Sequence, residues 1–217
     1  MKVAGIDEAG RGSLIGPLVI AIFITNNLDE LEALSLKDSK KLTSKQRFFY
    51  FKRLKEIGYF EVAEINPEII DKENLNKLEL EFIKKLVDKN AKKHNVKRLY
   101  IDLFTREKEI VENSIKSIDD SIEVIAEYKA DEKYPIVSAA SIIAKVIRDR
   151  EIKKMKKVFG DFGSGYPSDE KTIEFLKNNL EILEKSNVIR KKWKTYKRIK
   201  KLIDSLKTQP LEKYLHK

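Results

Sequence analysis

Apolar and polar positions change period several times along the chain, and each change marks an element. Residues 2–7 read as a short strand that stops at a glycine-rich loop over 8–17. Residues 18–25 form a β-branched apolar run, which predicts a second, well-buried strand. Beyond a polar loop at 38–42, Thr43 is placed to cap a helix running to residue 57, with Gly58 as its stop. Residues 59–65 alternate and predict a third strand. Asn66-Pro67 opens a short helix, and a longer one spans 75–93 and ends at His94-Asn95. A fourth strand is expected over 96–103, then a helix over 106–118 and a fifth strand over 122–128. Pro135 suits the first turn of a long helix reaching residue 158. The glycine-rich stretch from Gly160 to Asp169 is a loop, and helices follow near 170–178 and 190–206.

Three strands followed by strand–helix–strand–helix imply a mixed sheet. The first three can form an antiparallel meander, and the last two can join the first in parallel through helical crossovers. Neighbouring parallel strands bring their carboxyl ends to one edge, which puts Asp7 beside Asp102. Each is an acid ending a hydrophobic strand, where an unpaired buried charge is costly. Two such acids at one edge call for cations.

Composition narrows the chemistry. Of 217 residues 41% are hydrophobic, enough for a real core, although 37% are charged. No cysteine occurs, which removes disulfides, thiolate nucleophiles and cysteine-ligated zinc. His94 and His216 are the two histidines and lie far apart in sequence, so a histidine-rich metal site is out. The apolar run 18–24 falls well short of the ~20 residues a bilayer requires, and Asp7-Glu8 interrupts any secretory leader. A cytoplasmic monomer with no membrane association is expected. The net charge of +10 is uneven: residues 1–144 hold 24 basic and 25 acidic side chains, residues 145–217 hold 21 and 10. The surplus points to a polyanionic partner, with a merely solvated basic surface as the plainer alternative.

Three segments carry candidate chemistry. The first, Gly5-Ile6-Asp7-Glu8-Ala9-Gly10-Arg11-Gly12, fits neither a dinucleotide fingerprint nor a phosphate loop. Its glycines are spaced wrongly for the former, and Arg11-Gly12 replaces the Lys-[Ser/Thr] of the latter. Two acids beside glycines that let a backbone come close suit metal ligands next to a sugar–phosphate chain; a strand end with solvated acids is the alternative. In the second segment, Asp131 can reach the same sheet edge or can simply favour the positive end of a helix. In the third, Tyr166 sits in Gly163-Ser164-Gly165-Tyr166-Pro167 and either stacks on a sugar or base or belongs to a plain turn.

Taken in order, G-I-D-E-A-G-R-G at 5–12, D-S-K-K-L at 38–42, K-A-D-E-K-Y-P at 129–135, S-A-A-S-I-I-A-K at 138–145 and G-S-G-Y-P-S-D at 163–169 resemble ribonuclease HII, the type 2 ribonuclease H, in its archaeal form. The resemblance runs from residue 2 to about 198. It implies a ribonuclease H-like α/β fold: a mixed five-stranded sheet flanked by helices, with a helical C-terminal extension. The catalytic domain would occupy 1–158, and 159–217 would be a basic extension packed on it. It also implies a two-ion Mg²⁺ or Mn²⁺ site on Asp7, Glu8, Asp102 and Asp131. Gly10, Arg11, Gly12, Ser39, Lys40, Lys145 and Tyr166 are implied as substrate contacts, with Tyr166 against the sugar at an RNA–DNA junction. Ser13 stands where many relatives carry proline, and Lys192 where serine is common.

The implied reaction cuts the RNA strand of RNA/DNA hybrids, and duplex DNA 5′ of embedded ribonucleotides, leaving 3′-hydroxyl and 5′-phosphate ends. Hard carboxylate oxygens suit Mg²⁺ or Mn²⁺, and paired ions activate water and stabilise the leaving oxygen without a histidine base. A non-catalytic binding module would need the basic region but no clustered acids, and a nucleotide hydrolase would need the missing phosphate-loop residues. For Glu8 to join Asp7 at one site, the first strand must end at Asp7, because adjacent strand residues face opposite ways. The stretch 190–201 holds eight basic residues and no acid. Helical spacing there places Trp193, Tyr196, Lys200 and Ile203 on one packing face, leaving lysines for duplex phosphates. Residues 208–215, Thr-Gln-Pro-Leu-Glu-Lys-Tyr-Leu, resemble a sliding-clamp docking peptide, with Leu211 and Tyr214 one helical turn apart; a tail packed on the protein's own body is the alternative.

Overall fold

The computed structural model describes residues 1–36 and 42–207. Ser39, Lys40 and the 208–215 segment lie outside the described residues.

The expected meander forms. β1 (Lys2–Ala9) pairs antiparallel with β2 (Leu18–Thr25), and β2 pairs antiparallel with β3 (Tyr59–Ile65). β4 (Val96–Asp102) joins the other side of β1 in parallel, and β5 (Glu123–Glu127) joins β4, giving the order β3-β2-β1-β4-β5. Alternation along β1 divides the core. Ala4 and Ile6 face α4 (Leu75–His94) and α5 (Lys108–Lys116), where Ile83, Leu86 and Val111 are buried. Val3 and Ala9 belong to the opposite face, covered by α1 (Leu28–Ala33), α2 (Ser44–Ile57) and α7 (Pro135–Phe159). Each fully buried Leu, Ile or Phe contributes about 1.5–3 kcal/mol of transfer free energy, so both helical layers are held firmly to the sheet.

Gly5 sets how closely α7 approaches. A Cβ on Gly5 would lie 2.3 Å from the Ile136 carbonyl oxygen, so the start of α7 rests directly on β1. Ser138, Ala139, Ala140 and Ser141 are all buried there, and the small residues allow the contact. Helix ends follow the local chemistry. The Thr43 side chain accepts from the Gln46 N–H while the Gln46 side chain accepts from the Thr43 N–H, at 3.3 and 2.9 Å. α4 stops at Asn95, whose φ of 53° ends the helix in a left-handed turn. The short helices α3 (Pro67–Ile70) and α6 (Ala130–Lys133) precede α4 and α7.

A third cluster ties the later part of the chain to the loop after β1. Leu14, Ile15 and Ile152 pack with Phe162, Leu176, Leu183, Tyr196 and Ile199 from the loop at 160–169, α8 (Glu170–Lys185) and α9 (Lys194–Lys207). Trp193 and Ile203 pack against it beside Tyr196, as the helical spacing requires. Several boundaries depart from the sequence pattern. α1 forms in a stretch to which the sequence pattern assigns no element, with Leu31 in a core position. α8 runs on past Asn178 to Lys185: the backbone is irregular at Asn179, whose side chain bonds the Phe175 carbonyl at 3.0 Å, but Leu183 still reaches the core. α9 starts at Lys194 rather than at 190, because Ile189 bridges Ile15 and the Arg190 N–H bonds the Leu14 carbonyl at 2.9 Å.

Candidate active site

Register brings the first two acids together. The parallel pairing of β1 with β4 runs to Ile6 opposite Ile101, so Asp7 and Asp102 follow side by side at the carboxyl edge. Both share the α7 face by alternation. Past Ile6 the β4-facing side of β1 lacks its ladder partner, and the Asp7 carboxylate takes the Glu8 N–H at 2.7 Å. Asp7 is 5% exposed and also bonds Ser141, while Lys145 donates to the Ser141 hydroxyl at 2.8 Å. Asp102 accepts from the Ala130 N–H at 2.9 Å, tying the end of β4 to the start of α6. Asp131, the next residue, is 3% exposed, and its carbonyl receives the Ser138 hydroxyl of α7.

The end of β1 corrects the sequence reading. β1 does not end at Asp7 but continues in register with β2 to Ala9, opposite Val19. Pairing to Ala9 starts Glu8 on the α4 face, yet its carboxyl still reaches that of Asp7 at the strand edge and bonds it. There it meets a residue the motifs do not contain: Glu79 of α4, fully buried, whose Oε2 receives Arg11 Nε at 2.8 Å. Arg11 also bonds Asn76. Asp7, Glu8 and Asp102 therefore gather at one edge, with Glu79 close by. Among the described residues no three of them already form a cage able to grip one ion; Asp7 and Asp102 are turned onto protein donors.

Electrostatics show what the edge lacks. Burial, with repulsion from Asp102, lifts Asp7 to about 7 despite the Ser141 bond. Burial, with Asp7, Glu79 and Asp102 close by, pushes Glu8 well above the ordinary carboxylate range. Burial also lifts Glu79 to about 7, although Arg11 opposes it. Buried carboxylates that repel one another and hold protons near neutrality are a donor set suited to hard divalent cations. A pH dependence follows. These acids bind more protons folded than unfolded, so their contribution to stability is complete below their unfolded pKa values and is lost as pH rises through about 7. With metal chelated, the melting temperature is expected to be several degrees lower near pH 8 than near pH 6, at about 2–4 °C per kcal/mol for a chain of this size. Mg²⁺ or Mn²⁺ should raise it more near pH 8. Scanning calorimetry at both pH values checks this, and an equal gain at both would mean that these acids do not hold the metal.

The loop after β1 is fixed from beneath. At Gly10 φ is 87°, and a Cβ there would fall 2.3 Å from Arg148 Nε, so glycine is required. Ser13 donates its N–H and its hydroxyl to the Gly10 carbonyl at 3.2 and 2.9 Å, the first of which proline could not supply. Tyr166 is near because the Leu14 and Ile15 N–H groups both bond the Gly165 carbonyl, at 2.7 and 3.1 Å. The Arg148 guanidinium lies 4.7 Å from the Tyr166 ring centre. Asp169 shapes the loop from below, accepting the Ser164 N–H at 2.5 Å and the Lys171 N–H at 3.0 Å. Arg190, grouped by sequence with the phosphate-facing lysines, is instead fully buried and bonds the carbonyls of Gly10, Arg11 and Gly16. Lys192 lies exposed in the turn that follows, its N–H on Asp71 at 3.1 Å. Glu79 and Arg148 carried a legible signal, since each puts a charge in an apolar helical stripe; Arg190 carried none.

Acids gathered at the carboxyl edge of a mixed five-stranded sheet define a hydrolytic nuclease of the ribonuclease H-like fold. A family model described as ribonuclease HII matches residues 4–196, and the chain belongs to that family. A ribonuclease HII from Methanococcus maripaludis strain C5 is 45% identical over 214 residues, covering 94% of this chain and 90% of the relative. The structure of ribonuclease H2 from Pyrococcus horikoshii OT3 superposes with a TM-score of 0.83 at 40% identity, covering 94% of this chain and 99% of that one. The ribonuclease HII of a PCNA complex from Archaeoglobus fulgidus superposes at 0.82 with 39% identity, covering 89% and 96%. The chain is thus an endoribonuclease acting on the RNA strand of RNA/DNA hybrids, and divalent-metal dependence goes with the family. Among the described residues no helix is long and apolar enough to cross a membrane.

Proposed function

We propose that this chain also cuts duplex DNA on the 5′ side of single embedded ribonucleotides, leaving 3′-hydroxyl and 5′-phosphate ends, with two Mg²⁺ or Mn²⁺ ions held by Asp7, Glu8, Asp102 and Asp131. The observation that carries this reading is the convergence, at one sheet edge, of proton-retaining acids with a glycine loop stitched to Tyr166. Divalent cations bound there supply a water of lowered pKa and positive charge for the leaving oxygen. Arg11 and the backbone of Gly10 and Gly12 line the approach of the ribose and its phosphates. Tyr166 stands against the sugar and Lys145, beside Asp7, takes a phosphate. Ser39 and Lys40 remain candidate phosphate contacts by motif alone. His94 stacks on Tyr59 at a ring separation of 4.2 Å and ends α4, just before β4 begins, at the opposite edge of the sheet. No imidazole therefore stands by the acids among the described residues, and the 2′-hydroxyl is read as an identity mark rather than as the nucleophile.

Within this reading, residues 1–158 carry the chemistry, and exposed lysines of 159–217 hold duplex phosphates without sequence preference. Residues 208–215 dock on a sliding clamp, in line with the clamp-bound relative from Archaeoglobus fulgidus. One experiment addresses both parts: a duplex with one ribonucleotide is incubated with the parent and with a form lacking 208–217, with and without Mn²⁺. Both proteins should make the same metal-dependent 5′ cut, and the cognate clamp should retain the parent alone. A cut elsewhere, or one made without metal, refutes the catalytic reading; absence of clamp binding by the parent at micromolar concentration refutes the docking.

A further inference from the structure

Arg190 is the largest fully buried side chain of the described residues. Its head bonds three main-chain carbonyls of the loop after β1: Nη1 donates to Arg11 O at 2.6 Å, and Nη2 to Gly10 O at 2.7 Å and Gly16 O at 3.2 Å. Its own backbone is stitched to the same loop. The Arg190 N–H bonds Leu14 O and the Gly16 N–H bonds Val188 O, both at 2.9 Å, around the Ile15–Ile189 bridge. Burial, with Arg148 near, lowers its pKa to about 9, so the fork stays charged at neutral pH.

A trans peptide is planar, with its N–H opposite its C=O. Turning the Gly10 and Arg11 carbonyls inward onto Arg190 therefore turns the N–H groups of Arg11 and Gly12 outward. Neither N–H has a hydrogen-bond partner among the described residues. A Cβ placed on Gly12 would meet nothing within 4 Å, so the main chain at Gly12 borders open space. Successive outward N–H groups of this kind make an anion- and oxygen-binding concavity. We propose that Arg190 is a positioning residue for substrate recognition, setting these two N–H groups as a paired donor site for an oxygen of the nucleotide backbone. The proposal rests on the single-ribonucleotide reading above and adds to it a residue distant in sequence but packed under the loop.

Arg190→Lys keeps the charge but not the planar fork. On a duplex with one ribonucleotide, kcat should fall by roughly 10- to 100-fold with little change in KM, since misplacing the loop harms geometry more than duplex capture. The melting temperature is measured alongside, and kcat is expressed per folded molecule. A kcat within about twofold of the parent overturns the proposal. If Arg190→Lys fails to fold, amide hydrogen exchange on the parent with metal chelated decides. The Arg11 and Gly12 amides should be protected by the ribonucleotide duplex. Equal protection by the all-deoxy duplex identifies a phosphate oxygen, protection by the ribonucleotide duplex alone identifies the 2′-hydroxyl, and protection by neither overturns the proposal. If the parent cuts no ribonucleotide duplex, it is the functional reading that fails, and the exchange result still stands for or against the paired donor site that Arg190 is proposed to set.

Discussion

Asp102→Asn is expected to lower single-turnover cleavage by about a thousandfold or more, some 4 kcal/mol of transition-state stabilisation at 1.36 kcal/mol per factor of ten, while leaving the fold intact. The asparagine carbonyl can still accept the Ala130 N–H that Asp102 receives at 2.9 Å, so the join between β4 and α6 survives. What is lost is the charge facing Asp7. Removing it also relieves repulsion that pushes Asp7 and Glu8 upward. The metal-chelated variant should therefore melt no lower than the parent and gain less from added Mn²⁺. This pairing of an inactive enzyme with an unharmed or slightly stabilised fold separates a ligand from a structural acid, whose loss would lower both. Near-parent cleavage by Asp102→Asn would remove Asp102 from the site.

The parts of the fold legible in sequence were those with a local cause. β2 shows as an unbroken apolar run because both its faces are covered, and α2 shows through Thr43, Gln46 and Gly58. Asp7 and Asp102 could be paired because a parallel register needs only the strand ends. The end of β1 could not be placed by the same reasoning. Whether β1 stops at Asp7 depends on β2, whose Val19 and Ile20 keep pairing through Ala9, and nothing in G-I-D-E-A-G-R-G encodes that. Arg190 was hidden for a second reason. Within a run of basic residues its type suggests phosphates, and only the tertiary contact with Gly10, Arg11 and Gly16, nearly the whole chain away, shows a buried clamp. A long basic side chain between an apolar bridge residue and a tryptophan can go inward as readily as outward.

Tyr166→Ala tests the other half of the site, recognition of the sugar. The loop at 160–169 is held without the ring: Gly165 O receives two N–H groups, and Asp169 accepts from Ser164 and Lys171. Truncation forfeits the contact with Arg148, about 0.5–2 kcal/mol for a cation over an aromatic face, so the folded protein should survive with a modest fall in melting temperature. Cleavage at a single embedded ribonucleotide should drop by roughly 100-fold, the scale at which lost positioning acts. On a long RNA/DNA hybrid the loss should be smaller, because every register offers a ribose and the exposed lysines hold the duplex wherever it lands. Tyr166→Phe separates ring from hydroxyl: it keeps the stacking surface over Arg148 and should retain most activity if the ring face meets the ribose. A phenylalanine variant as impaired as the alanine variant would assign the role to the hydroxyl instead. Should Tyr166→Ala match the parent on the single-ribonucleotide duplex, the loop is a turn that braces the glycine loop after β1, and the sugar must be read elsewhere.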